Sequence, residues 1–134
     1  MRLHDWEHRL TRYVTEVACT GFAHGSHDCA LFAAGAVEAI TGIDPGARWR
    51  GRYSSFKGGL KLVRKDGFTD HVAVMRRHCP PIQGGAVMAG DLAVIGTGRE
   101  AALGVVQGAL IYVLRETGLG LMPLGAANEY LGVR

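Results

Sequence analysis

The sequence predicts one α+β domain over residues 1–134, with helices in its N-terminal part and an antiparallel sheet in its C-terminal part. Before Met88, apolar residues recur at helical spacing, whereas after it the chain breaks into short aliphatic runs separated by glycine-containing turns. A nearly uncharged segment that begins at Cys29 is typical of a buried helix. Helices followed by strands are the order expected of an α+β domain.

Two helices are predicted in the first third of the chain. The first covers residues 3–18, where apolar side chains follow a helical period. A loop over residues 20–27 is indicated by its glycines. Asp28 then offers an N-cap for a second helix over residues 29–41, and Gly42 is its expected C-terminal stop. We expect this second helix to be the central one, packed on the sheet.

The remaining elements are shorter. A loop rich in arginine, glycine and aromatic residues covers residues 44–56, and Pro80-Pro81 ends the helical region. Two short helices are predicted between these points, at about residues 57–65 and 69–78. Strands are predicted over residues 91–95, 102–106, 109–114 and 120–124, joined as an antiparallel meander.

The composition excludes several classes of protein. Apolar residues make up 48% of the chain and charged residues 20%, which is typical of a folded domain rather than a disordered one. The formal net charge is +3, and the basic residues are spread along the chain. Nucleic-acid binding favours a denser basic stripe with aromatic residues between the charges. We therefore expect no nucleic-acid partner.

The chain also shows signals of its compartment. Its three cysteines are too few and too scattered for a disulfide framework, and their odd number leaves a free thiol. The N-terminus has no apolar segment typical of a signal peptide, and no apolar run reaches the ~18 residues of a membrane span. We expect synthesis in the cytoplasm, with no signal peptide, no membrane span and no cofactor.

Cys29 is the first candidate for chemistry. A thiol in the first turn of a helix faces free N–H groups and the positive end of the helix dipole, which favour the nucleophilic thiolate. His24 and His27 are close in sequence and are candidate bases. Cysteine in an alanine-rich helix is also often a small buried hydrophobe. On the first interpretation, Cys29 is predicted to be the most reactive of the three thiols.

Two motifs resemble those of the NlpC/P60 cysteine peptidases. They are Phe22-Ala-His-Gly-Ser-His-Asp-Cys29, which precedes the apolar helix, and Ala89-Gly90-Asp91-Leu92, which resembles the Gly-Asp-Leu motif at the first barrel strand of that family. The resemblance implies a papain-like fold with Cys29 at the nucleophile position. In active members of the family, the substrate is the stem peptide of peptidoglycan.

The whole chain is similar to small NlpC/P60-related proteins encoded in the tail-gene clusters of phages, prophages and gene transfer agents. The shared features are the Trp6 helix, His27-Asp28-Cys29-Ala-Leu-Phe32, Thr41-Gly-Ile-Asp-Pro45, Arg50-Gly-Arg-Tyr53, Gly90-Asp91 and Leu103-Gly-Val-Val-Gln-Gly108. This resemblance implies a place in the tail of a virion or phage-like particle. It also implies other tail-tip or hub proteins as partners.

The sequence departs from the peptidase pattern at the catalytic base. In the family the base is a histidine at the start of the second strand, and here that position is Ala102. The next strand, at Tyr112-Val113-Leu114, offers no histidine, asparagine or glutamine to orient a base. The sequence therefore predicts a degenerate peptidase fold that acts in assembly or cell-wall contact. The alternative is an active thiol hydrolase in which His24 or His27 replaces the base, while His71 is interpreted as a surface helix residue.

Zinc binding is a further alternative. The chemically suitable ligands are His24, His27, Cys29, His78 and Cys79. Structural zinc sites usually show paired knuckles of closely spaced cysteine or histidine, and only the His24–His27 half-pair is present. We therefore expect no metal, although a small zinc-binding protein stays open as an alternative.

Arg50, Arg52 and Tyr53, together with Asp28, are the candidate binding residues. Guanidinium groups in this loop are suited to a carboxylate-bearing peptide or a neighbouring subunit. Trp49 and Tyr53 would be the aromatic anchors of such a surface. The alternative is an ordinary solvated loop.

Overall fold

Four helices precede a five-stranded antiparallel sheet in the computed structural model, which describes all 134 residues. The helices are α1 (Trp6–Val17), α2 (Cys29–Thr41), α3 (Phe56–Lys65) and α4 (His71–His78). The strands are β1 (Leu92–Ile95), β2 (Ala102–Val106), β3 (Leu110–Arg115), β4 (Gly118–Pro123) and β5 (Glu129–Leu131). Short 3-10 turns occupy Gly98–Glu100 and Leu124–Ala126. The α+β class and the antiparallel sheet are confirmed, and the predicted elements lie close to their observed bounds.

The sheet is a meander with one returning strand. Its order is β4-β3-β2-β1-β5, so the last strand pairs with the first. Leu92 on β1 lies opposite Val105 on β2 and opposite Leu131 on β5. All three side chains are buried in the main core together with Phe32 and Ile40 of α2. The predicted packing of the central helix against the sheet is thus confirmed.

Local signals at both ends of α2 act as the sequence predicts. Asp28 accepts a hydrogen bond from the Leu31 backbone N–H at 2.9 Å and so caps the helix. Gly42 ends the helix with a left-handed φ of 85°, and its N–H donates to the Glu38 carbonyl. Phe32 and Ile40 are fully buried.

The first helix begins at Trp6, later than predicted, and the chain before it lies against the end of α2. The Leu3 backbone N–H donates to the Ile40 carbonyl at 2.8 Å. Further along α1, the Tyr13 hydroxyl donates to the Phe32 carbonyl at 2.9 Å. Gly35 permits this approach, since a Cβ there would lie 2.2 Å from the Tyr13 hydroxyl.

A smaller apolar cluster forms around Trp49, which is 7% exposed and contacts Leu60, Val63 and Val74. Its indole N–H donates to the Asp66 carboxylate at 2.7 Å. The prediction that Trp49 is an anchor on an exposed contact surface is therefore wrong. The side chain instead joins the arginine-rich loop to α3 and α4.

Asp91 joins the two ends of the chain. Its carboxylate is fully buried, and one oxygen accepts from the Arg2 guanidinium at 3.0 Å, the Arg134 guanidinium at 2.7 Å and the Val133 N–H at 3.2 Å. The other oxygen accepts from the Met88 N–H at 2.9 Å. The Gly-Asp motif of the sequence therefore acts here as a structural clasp.

None of the four helices combines the length and the hydropathy that a membrane crossing requires.

Candidate functional site

Cys29 lies on the wall of a cavity of about 430 Å³. The N-terminus of α2, the loop around Tyr53, helices α3 and α4 and the start of β2 form its walls. Most of its lining is apolar, and the aromatic lining residues are Phe22, His24, Trp49, Tyr53, Phe56 and His71. A concave, largely apolar space with a few polar side chains is the usual form of a small-molecule or active site.

Asp28 organises the loop beside the thiol. Its carboxylate accepts from the Leu31 N–H at 2.9 Å, the Gly25 N–H at 3.1 Å and the Tyr53 hydroxyl. Gly25 has a φ of 84°, and a Cβ there would lie 1.7 Å from the Tyr53 carbonyl oxygen. Two of the predicted binding residues, Asp28 and Tyr53, are therefore hydrogen-bonded to each other. The Asp28 carboxylate already accepts three hydrogen bonds from within the protein.

The surroundings of Cys29 oppose ionisation of its thiol. Burial raises the pKa of Cys29, and the nearby Asp28 carboxylate raises it further. The backbone N–H of Leu103 lowers this pKa, as do those at the start of α2, but burial is the largest effect. Desolvation raises the pKa of Cys29 more than the helix N-terminus lowers it, so the thiol stays protonated.

The order of thiol reactivity is therefore expected to differ from the sequence-based prediction. Cys19 is exposed, whereas burial raises the pKa of Cys29 and raises that of Cys79 to about 11. Because the reagent must reach a thiolate, the exposed Cys19 should be alkylated first and the fully buried Cys79 last, with the half-buried Cys29 between them. Timed alkylation with iodoacetamide at pH 8, followed by peptide mapping, measures this order. Faster labelling of Cys29 than of Cys19 would show an activated thiol.

The two histidines predicted as substitute bases lie in different surroundings. His24 lines the mouth of the cavity between two rings, with centroid distances of 4.7 Å to Phe22 and 6.5 Å to Phe56. His27 instead packs edge-on against Phe32, its Nε2 is buried without a hydrogen-bond partner, and burial lowers its pKa. Only His24 of this pair therefore shares the cavity with Cys29.

His71 is a cavity residue that the sequence interpretation assigned to the surface. It is half-buried at the first position of α4, and its Nε2 lies 2.6 Å from the Ala101 carbonyl oxygen. It lines the cavity together with Cys29. The surface interpretation is wrong because α4 starts beside β2, with Asp70 as its N-cap. That N-cap is the one sequence signal that places His71 at a helix start.

Ala102 also lines the cavity, as the first residue of β2. The backbone N–H of the next residue, Leu103, is the one that lowers the pKa of the Cys29 thiol. The position at which the resemblance implies a histidine therefore lines the same cavity as the thiol, and a methyl group occupies it. Leu114 of β3 lines the same cavity and is apolar.

The arginines of the predicted binding loop do not line this cavity. Arg50 is paired with Asp44, with Nε to Oδ2 at 3.1 Å and Nη2 to Oδ1 at 3.2 Å. Arg52 is exposed. The two guanidinium groups thus have different surroundings, and Arg52 is the one open to solvent.

The candidate zinc ligands are not gathered into one site. No group of three or more histidine, cysteine, aspartate or glutamate side chains is placed to hold a metal ion.

Removal of the Tyr53 hydroxyl is expected to destabilise the loop around Cys29. A Tyr53→Phe variant loses a hydrogen bond to a buried carboxylate, which is worth about 1.5–3 kcal/mol. Tyr130→Phe is the matched control, because it loses a bond to the neutral Leu124 carbonyl, worth about 0.5–1.5 kcal/mol. Urea unfolding of both variants measures the difference. Equal losses would show that Asp28 does not depend on Tyr53.

Comparison with known proteins gives a family but no activity. No curated protein and no solved structure matches the chain. A family model does match, over residues 1–133, and it is described as a domain of unknown function (DUF6950). Because the match covers nearly the entire chain, the protein belongs to the DUF6950 family.

Proposed function

We propose that the protein is a component of a phage-like tail tip, built on a papain-like, NlpC/P60-like domain whose peptidase chemistry has been lost. It is made in the cytoplasm and carried in the particle. There it contacts other tail-tip or hub proteins, or the peptides of the cell wall, and does not hydrolyse them.

The observation that carries this proposal is the presence of Ala102 in the same cavity as Cys29. Both residues belong to its lining, and the backbone N–H of Leu103, the residue after Ala102, lowers the pKa of the thiol. A methyl group cannot accept a proton, and general base catalysis contributes roughly 10²–10⁴-fold to a reaction rate. The thiol is itself held protonated by burial. A nucleophile position that keeps its cysteine but lacks an adjacent base supports a fold retained for binding.

The order of elements along the chain agrees with the proposed relationship. A capped helix begins at Cys29 and packs on an antiparallel sheet, and the Gly90-Asp91 motif directly precedes β1. The full-length resemblance to tail-cluster proteins is what suggests a particle in place of a free enzyme.

Mass spectrometry of purified particles tests the assembly role. We expect the chain in stoichiometric amounts with the tail-tip proteins of particles released by lysis. Recovery of the chain only from the soluble fraction, with none in the particles, would contradict the proposal.

A second candidate function, a thiol hydrolase, is favoured by one observation: His24 and His71 line the cavity that contains Cys29. When the His71 Nε2–H donates to the Ala101 carbonyl, Nδ1 is left as an acceptor. A His71→Gln variant would then lose activity on stem peptides, whereas His78→Gln, at the exposed end of the same helix, would keep it. Equal activity of the two variants would remove His71 from this role.

A further inference from the structure

The cavity beside Cys29 has an aromatic mouth. Phe22 and Phe56 are 39% and 38% exposed, and the ring of His24 lies between them. Deeper in, the rings of Trp49 and Tyr53 belong to the aromatic lining. Aromatic rings associate with one another through edge-to-face and offset contacts worth about 0.5–1.5 kcal/mol beyond simple burial. The wall is therefore suited to a ligand that is itself aromatic.

The charges around the cavity disfavour an anionic ligand. No lysine or arginine belongs to the lining, which does include the carboxylates of Asp28 and Glu100. Asp28 is buried and already accepts three hydrogen bonds, while Glu100 is exposed. A carboxylate or phosphate that entered the cavity would lose its water and find no cation, which is a large cost.

The polar side chains that remain in the lining are few, and they include a thiol, a phenol hydroxyl and an imidazole. The Cys29 thiol and the Tyr53 hydroxyl are both protonated, because burial raises the pKa of each group. His71 donates from Nε2 to the Ala101 carbonyl and so keeps one ring nitrogen as an acceptor. The Tyr53 hydroxyl already donates to Asp28, so the thiol is left as a donor and the His71 ring nitrogen as an acceptor, which match a ligand with a single hydroxyl or carbonyl group.

We propose that this cavity binds an uncharged aromatic molecule carrying one hydroxyl or carbonyl group, and that it excludes aromatic carboxylates of the same size. The volume of about 430 Å³ lies within the range of small-molecule sites. The inference concerns the cavity alone and stands apart from the assignment to a tail tip. Its failure would leave that assignment untouched.

Fluorescence displacement tests the charge preference directly. The neutral probe N-phenyl-1-naphthylamine is added to the purified protein, and 2-naphthol and 2-naphthoate are compared as competitors at pH 7. We expect the probe to become brighter, and 2-naphthol to displace it at about tenfold or more lower concentration than 2-naphthoate, a difference of about 1.4 kcal/mol. No brightening, or equal displacement by the two competitors, would overturn the proposal.

Variants locate the binding. Ala102→Phe places a ring inside the cavity and should weaken probe binding by about tenfold or more, whereas Leu121→Phe adds a ring at a half-exposed site outside the lining and should change nothing. Phe56→Ala is the second cavity variant, at an exposed rim position that leaves the core intact, and should weaken binding by about threefold to tenfold. Circular dichroism checks that each variant is folded. Undiminished binding by the folded cavity variants would place the probe elsewhere and contradict the inference.

Discussion

An Asp91→Ala variant is expected to lose about 3–5 kcal/mol of the free energy of unfolding, because removing one partner leaves buried charge uncompensated. Asp91 is fully buried, and the side chain of Arg2 that it binds is only 10% exposed. The Met88 and Val133 N–H groups would lose their acceptor as well. A loss of this size is a large fraction of the stability of an ordinary domain.

Glu129→Ala is the matched control for this variant. Glu129 pairs with Arg76 at the surface, where the two side chains are 27% and 46% exposed, so its removal should cost about 0–1 kcal/mol. Urea unfolding followed by circular dichroism gives both values. A loss at Asp91 no larger than that at Glu129 would show that the clasp between the two chain ends is not a major source of stability.

An Ala102→His variant is expected to gain Cys29-dependent cleavage of peptidoglycan stem peptides, which the wild type lacks, since a general base contributes about 10²–10⁴-fold to a reaction rate. Position 102 lines the cavity with Cys29 and is half-buried, so an imidazole there has access to the thiol from the start of β2. An imidazole at this position would act as the missing base and would also favour the thiolate.

Two controls separate this gain from a general effect of added histidine. Ala109→His places the same side chain on an exposed turn between β2 and β3 and should stay inactive. The double variant Cys29→Ala/Ala102→His should be inactive too, since the nucleophile is gone. Activity that persists without Cys29 would contradict the assignment of position 102, as would a folded Ala102→His protein with no activity at all.

Elements defined by local signals could be predicted from the sequence. The N-cap at Asp28 and the stop at Gly42 gave α2 its bounds, because capping depends on residues adjacent in the chain. The last strand, Glu129–Leu131, was not predicted, since three residues carry little pattern and its formation depends on pairing with β1. The start of α1 was placed too early for a similar reason: the contact of Leu3 with Ile40 joins distant parts of the chain.

The candidate site could likewise be predicted only where local sequence signals determine it. The order of motifs was enough to expect Ala102 at the position of the base. Ala102 and Cys29 do line one cavity, together with the hydrogen-bonded pair of Asp28 and Tyr53. The protonated state of Cys29 could not be predicted, because desolvation arises from tertiary packing and opposes the local effect of the helix N-terminus. His71 and Trp49 were misplaced because their burial depends on how α4 and the arginine-rich loop pack.

The proposed loss of peptidase activity is tested most directly by one comparison. Purified wild-type protein and a Cys29→Ala variant are incubated with peptidoglycan stem peptides across pH 6–9, and the products are measured by mass spectrometry. The lack of a base at position 102 and the protonated thiol predict no difference between the two proteins. Robust cleavage by the wild type that disappears in Cys29→Ala would show an active thiol hydrolase and contradict the account.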